Sequence, residues 1–174
     1  MDQKPLQRLW LDAEENHAWR LYLRVSRLLE AKLDCELLAY GLPLREYEIL
    51  MVLSEAPDRR RRMSAIADHV VQSRSRLTHT ASRLESHGWV RRESCVGDRR
   101  GVALVLTEAG YAEVVRMAPI HARSVRENLM ELLSREDLLA LARIMAVVAG
   151  DMENVEVQSV VECGEVGVPE DEIA

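Results

Sequence analysis

A mainly α-helical fold carrying one small β-hairpin is what this sequence predicts, on three observations. Apolar residues recur at helical spacing from Leu6 to about Ala39 without a glycine or proline between them. Short helical segments follow, the last of them closing at Gly88. Beyond it, WVRRESCV and GVALVLT alternate as two strands across a Gly97-Asp98-Arg99-Arg100 turn, and two more helices complete the chain. Helices, then a hairpin, then helices is the layout of a winged helix-turn-helix with helical extensions at both ends.

The first helix has an unusually wide apolar surface: Trp19, Tyr22, Leu29, Leu33 and Leu37 fall on one line, with Leu21, Val25 and Leu28 beside it. Gly41 and Pro43 break it. A short helix spans Arg45 to Glu55, with Tyr47, Leu50, Met51 and Leu53 at its apolar positions. After the Pro57-Asp58 turn comes RRRRM, and Ser64 reads as the N-cap of the SAIADHV helix. The next helix opens at Ser73 and stops at His87-Gly88, a glycine C-terminal stop. Thr107 caps a long helix reaching about Leu133, with a kink expected at Pro119. Ser134 and Asp137 form a capping-box-like start for the last helix, whose Leu138, Leu141, Ala142 and Met145 share a face and which ends at Gly150.

One unit over 1–150 is therefore expected, with the winged helix at about 44–107 and flanking helices at about 6–40 and 107–150. Residues 151–174 hold eight acids and no base and read as a loose acidic tail. The leucine-rich helices at both ends are too apolar to leave in water, and a second copy of the chain is the simplest cover, giving a two-fold dimer.

Composition bounds the function. No apolar run approaches the length of a membrane span, and MDQKPLQRLW lacks the layout of a signal peptide, so the expected location is cytoplasmic with no membrane partner. Cys35, Cys95 and Cys163 are too few and scattered for a disulfide framework and show no metal spacing. His17, His69, His79, His87 and His121 form no cluster with Cys or carboxylate, so neither metal nor cofactor is expected. Serines and histidines lack an organising catalytic motif, and the chain is not read as an enzyme. A net charge of -6 argues at first against nucleic acid, yet Ala56 to Gly110 holds eleven arginines against six acids. The middle is basic between acidic ends.

In SRSRLTHTASRLESHG, 100° per residue puts Leu77, Ala81 and Leu84 on the core side. The opposite side presents Ser75, Thr78, His79 and Ser82, flanked by Arg76 and Arg83, with Ser73 and Arg74 at the start. Small hydroxyls let a helix sit deep in a major groove, and arginines donate to guanine or phosphate. An ordinary amphipathic surface helix would look similar. The hairpin tip supplies the second signal: a turn needs glycine or aspartate but not two arginines. Lying beside the helix, the tip can place Arg100 in the adjacent minor groove, with Asp98 holding its guanidinium and Arg99 meeting phosphate. A solvated turn is the plain alternative.

Taken together, Ser73 to Gly110 resembles the multiple-antibiotic-resistance regulator (MarR) family of winged-helix transcription factors. The family's aspartate-x-arginine wing signature corresponds to Asp98 and Arg100, and its leucine-threonine helix start to Leu106 and Thr107. The resemblance implies a homodimer that enters successive major grooves of a pseudo-palindromic double-stranded operator, usually to repress transcription. Pro43-Leu44-Arg45 departs from the family's usual Ser or Thr cap, and the extension after Gly150 lies outside its core. The resemblance further implies release of DNA by a small aromatic or anionic inducer, or by cysteine oxidation. Trp10, Trp19, Tyr22, Tyr47 and Met51 are the candidate lining of an inducer pocket, though such stripes are also plain core. Cys95, between Arg92 and Arg99, is the candidate redox sensor, and an inert cysteine is its alternative. The competing reading of the whole chain is a winged-helix protein-interaction module that does not bind an operator.

Overall fold

The computed structural model describes residues 10–95 and 98–152, the side chains of 98–100, 151 and 152 excepted. Its helices are α1 (Ala13–Leu38), α2 (Leu44–Ser54), α3 (Met63–His69), α4 (Arg74–Ser86), α5 (Glu108–Asn128) and α6 (Arg135–Met152). Its strands are β1 (Arg60–Arg62), β2 (Val90–Cys95) and β3 (Asp98–Leu106), arranged antiparallel in the order β1-β3-β2.

Local chemistry moves several predicted boundaries. Among the described residues the first helix begins at Ala13, where Asp12 and Glu15 form a reciprocal capping box that fixes the start, and the expected start at Leu6 lies outside them. RRRRM contains a strand: Arg60, Arg61 and Arg62 pair with Val105, Leu104 and Ala103. Their own side chains carry no strand pattern, so only the exposed edge of β3 makes them one. Ser64 consequently lies inside α3, whose cap position is held by Arg62 without a side-chain bond. β3 begins at Asp98, so residues 98–100 belong to the strand and not to the turn. α5 stops at Asn128, where Leu129 leaves helical geometry, and a 3-10 turn over Met130–Leu132 replaces the predicted last turn. The helix is unbroken at Pro119, whose missing N–H would have met Val115, an exposed position where water can serve the carbonyl. α6 runs through Gly150 to Met152. Other starts stand as read: Ser73 accepts from the Arg76 N–H, Thr107 from the Gly110 N–H, and Ser134 from the Asp137 N–H.

The core lies where the winged unit meets the ends of α1 and α5. Leu33 and Leu37 of α1, Tyr47, Leu50 and Leu53 of α2, Leu77 and Leu84 of α4, Leu104 of β3 and Met117 of α5 are all buried. Gly110 lets α5 approach the sheet, since a Cβ there would stand 2.1 Å from the Trp89 carbonyl oxygen. Outside that core, Trp19, Leu21, Tyr22, Val25 and Leu28 of α1 are about half exposed, and no described residue of α6 is buried.

Candidate nucleic-acid interface

α4 sorts its residues as its sequence requires. Leu77, Thr80, Ala81 and Leu84 are buried, while Arg74, Ser75, Arg76, Thr78, His79, Ser82 and Arg83 are exposed. The hydroxyls of Thr78 and Ser82 donate back to the carbonyls of Arg74 (2.8 Å) and Thr78 (3.0 Å), which keeps the outer face low and smooth. Ser73 is buried and its hydroxyl caps the helix, so it supports the face without being part of it.

Electrostatics divide the arginines. Among the described residues, Arg59, Arg60, Arg83, Arg91 and Arg92 are paired with Glu108, Glu93, Glu46, Glu93 and Glu85. Arg83, placed on the outer flank by sequence, reaches the buried Glu46 of α2 at 2.6 Å and ties α4 to α2. Arg74 and Arg76 make no ion pair among the described residues and stand exposed on the outer face. Two uncompensated guanidinium groups beside small hydroxyls are what an anionic, hydrogen-bonding surface such as a groove of DNA would meet.

Arg92, which sequence reasoning did not assign to the site, fixes the wing to this helix. Its guanidinium donates to Glu85, to the Thr78 carbonyl at 3.1 Å and to the Ser82 hydroxyl at 2.9 Å, while its backbone N–H donates to Glu85 at 3.1 Å. The only trace in the sequence is Glu85 seven residues before Arg92, a spacing no single element explains. Within the wing, Ser94 pairs with Val102 but Cys95 pairs with Asp98, so Arg99, Arg100 and Gly101 fall in a register shift of β3. Such bulges re-aim the strand that carries them. The expected Asp98–Arg100 pairing, the groove insertion of Arg100 and the phosphate contact of Arg99 concern side chains outside the described residues.

The inducer candidates separate into two places. Tyr47 and Met51 line a cavity of about 460 Å³ with His69, Val71 and His121. The Tyr47 and His121 rings stand 4.9 Å apart, and burial holds the His121 imidazole below its ordinary pKa. Burial also raises Tyr47, with Glu55 adding to the effect, and raises Glu48. Trp19 and Tyr22 instead stack on each other at 5.9 Å on the exposed part of α1, and Trp10 is 85% exposed, so these three do not line the cavity. Cys95 is a half-buried free thiol sharing a shallow cavity with Arg60, Arg61 and Arg62. Among the described residues no three His, Cys, Asp or Glu side chains converge as a metal site, and no helix is long and apolar enough to cross a membrane.

Comparison with known proteins agrees with this geometry. The model of the MarR family matches residues 40–101. The HTH-type transcriptional regulator PecS of Dickeya dadantii (strain 3937) is 37% identical over 112 residues, which is 61% of this chain and 64% of that protein. Sco3205 of Streptomyces coelicolor, a MarR family transcriptional regulator solved in complex with DNA, is 42% identical with a TM-score of 0.77, covering 82% of this chain and 94% of its own. AbsC, a MarR family transcriptional regulator from the same organism, is 43% identical with a TM-score of 0.77, covering 83% of this chain and 98% of its own.

Proposed function

Because the chain belongs to the MarR family of transcriptional regulators, we propose that it binds a pseudo-palindromic double-stranded operator as a homodimer and represses transcription from it. The observation that carries this reading is the outer face of α4, where Arg74 and Arg76 have no carboxylate partner among the described residues and stand beside Ser75, Thr78, His79 and Ser82. The likeness to Sco3205, seen in complex with DNA, supports carrying that activity over. Two such helices in a two-fold dimer would enter successive major grooves about one helical turn apart.

The wing completes the reading. Arg100 is proposed to enter the minor groove with Asp98 positioning it, and Arg99 to meet phosphate. Arg100→Ala should then weaken operator binding by about 1–3 kcal/mol. Asp98→Ala should cost less and add little once Arg100 is gone. Unchanged affinity in folded Arg100→Ala would make the wing tip plain surface.

The cavity beside Tyr47 and His121 is the proposed inducer site. Among the described residues Glu48 and Glu55 line it without a lysine or arginine, which favours an uncharged or cationic aromatic over an anion. Fluorescence anisotropy against the chain's own upstream region, at low and moderate salt, tests the function itself. Selective binding that weakens as salt rises supports the repressor; no selective binding at low salt refutes it and leaves a protein-interaction module.

A further inference from the structure

Residues 70–73 join α3 to α4, and this joint has two unlike neighbours. On one side, His69, Val70 and Val71 line the cavity of about 460 Å³ together with Tyr47 and Met51 of α2 and His121 of α5. On the other, Ser73 caps α4 through the Arg76 N–H, and Arg74 and Ser75 stand exposed immediately after it. Gln72 and Ser73 are both buried, and the Gln72 N–H donates to the Ala67 carbonyl at 2.9 Å. Little slack therefore separates the cavity wall from the start of α4.

Val71 holds this joint under strain. Its φ of 48° lies in the left-handed region, which a β-branched residue enters only at a cost. Asp58 and Arg59 share that backbone, but neither is β-branched. The Val71 side chain lines the cavity while remaining mostly exposed, so core packing does not account for the conformation. We propose that Val71 is the joint through which an occupant of the cavity acts on α4. The left-handed form holds α4 in its DNA-binding position; an aromatic occupant favours a relaxed form that shifts the start of α4 and releases DNA. An occupant that needs the wall at Val71 to give fits the relaxed form better, and that difference in fit moves the balance. The strain released at Val71 adds to it. This rests on the reading of the same cavity as the inducer site.

A covalent occupant makes the test independent of any ligand's affinity. In the full chain carrying Cys35→Ser, Cys95→Ser and Cys163→Ser, Met51→Cys places one thiol on the cavity wall. Benzyl methanethiosulfonate then attaches a benzyl group as a mixed disulfide, with methanesulfinate leaving, and dithiothreitol removes it. Anisotropy with the upstream duplex should show binding weakened roughly tenfold by the label and restored by the reductant. With Val71→Gly added, which enters the left-handed region freely, the label should weaken binding less than about threefold. Unlabelled Val71→Gly should bind no more weakly than its parent. Val71→Ile keeps the strain and should respond as the parent does, and Val71→Ala, which keeps a Cβ, should respond closer to the parent than to glycine. Thermal melts identify a glycine variant that has lost its fold, in which case Val71→Asn, also at home in left-handed backbone, carries the test. An equal response in parent and Val71→Gly overturns the joint and leaves the inducer site standing. A response lost as fully in Val71→Ala as in Val71→Gly overturns it too, since the side chain and not the backbone would be responsible. So does weaker binding by unlabelled Val71→Gly. A label that changes nothing in either chain, or a thiol that takes no label, removes the inducer site along with the joint. If the unlabelled parent does not bind the duplex, the proposed function itself falls.

Discussion

Val71 holds a left-handed backbone at φ 48°, in the turn between α3 and α4, although it is β-branched. A residue of this kind in that region costs on the order of 1–3 kcal/mol, whereas glycine enters it freely. Its side chain is 61% exposed, so little burial compensates. Val71→Gly should therefore raise stability by about 1 kcal/mol, read as a higher urea midpoint. A lower midpoint would mean that the valine's contacts outweigh the strain. His121 couples stability to pH. Its folded pKa lies below the ordinary 6.5, because burial disfavours the imidazolium. The unfolded chain then binds the proton more readily, so this contribution is full above 6.5 and is lost as pH falls through the folded value. Glu48, raised by burial in the same cavity, acts with the opposite sign. Comparing urea midpoints at roughly pH 7.5 and 5.5, His121→Gln should lose less stability on acidification than the parent. An identical loss in both would remove His121 from the account.

Between elements, Arg92 is the fastening to test. It links β2 to α4 through Glu85, the Ser82 hydroxyl and the Thr78 carbonyl, and Arg83 links α4 to α2 through Glu46. The Arg92 and Glu85 side chains are 29% and 38% exposed, so solvent screens the pair. Arg92→Ala is expected to cost about 1 kcal/mol of stability, with a coupling of roughly 0.5–1 kcal/mol to Glu85→Gln in a double-mutant cycle. The same substitution should weaken operator binding more than stability alone explains, since wing and recognition helix lose their common frame. Additive single effects would show that the two residues act independently.

The whole molecule leaves unburied what its sequence made apolar. Trp19, Tyr22, Val25 and Leu28 of α1 are about half exposed, and Leu139, Ile144, Val147 and Val148 of α6 are exposed as well. Apolar helical surface on this scale marks an association site. Sedimentation at micromolar concentration should give a mass near twice 19.8 kDa, and Val25→Glu with Leu28→Glu should shift it to a single chain without unfolding the winged unit. A parent that sediments as a monomer would refute the dimer.

Elements whose signals are local are legible in the order of residues alone. Periodicity marked α1, α2, α4 and α6, the hydroxyl caps at Ser73, Thr107 and Ser134 marked three starts, and alternation marked β2 and β3. It also placed the exposed face of α4, because Leu77, Ala81 and Leu84 leave only one side for the core. Tertiary structure decided whatever depends on a partner element. β1 is a strand only because β3 offers an edge, so three arginines without alternation gave no hint of it. Arg83 and Arg92 are struts and not free cations because Glu46 and Glu85 reach them in space, at separations of 37 and seven residues that no helix or strand period connects. Tyr47 and Met51 share a cavity with His121 while Trp10, Trp19 and Tyr22 do not, since a helical stripe specifies a face but not what comes to lie against it.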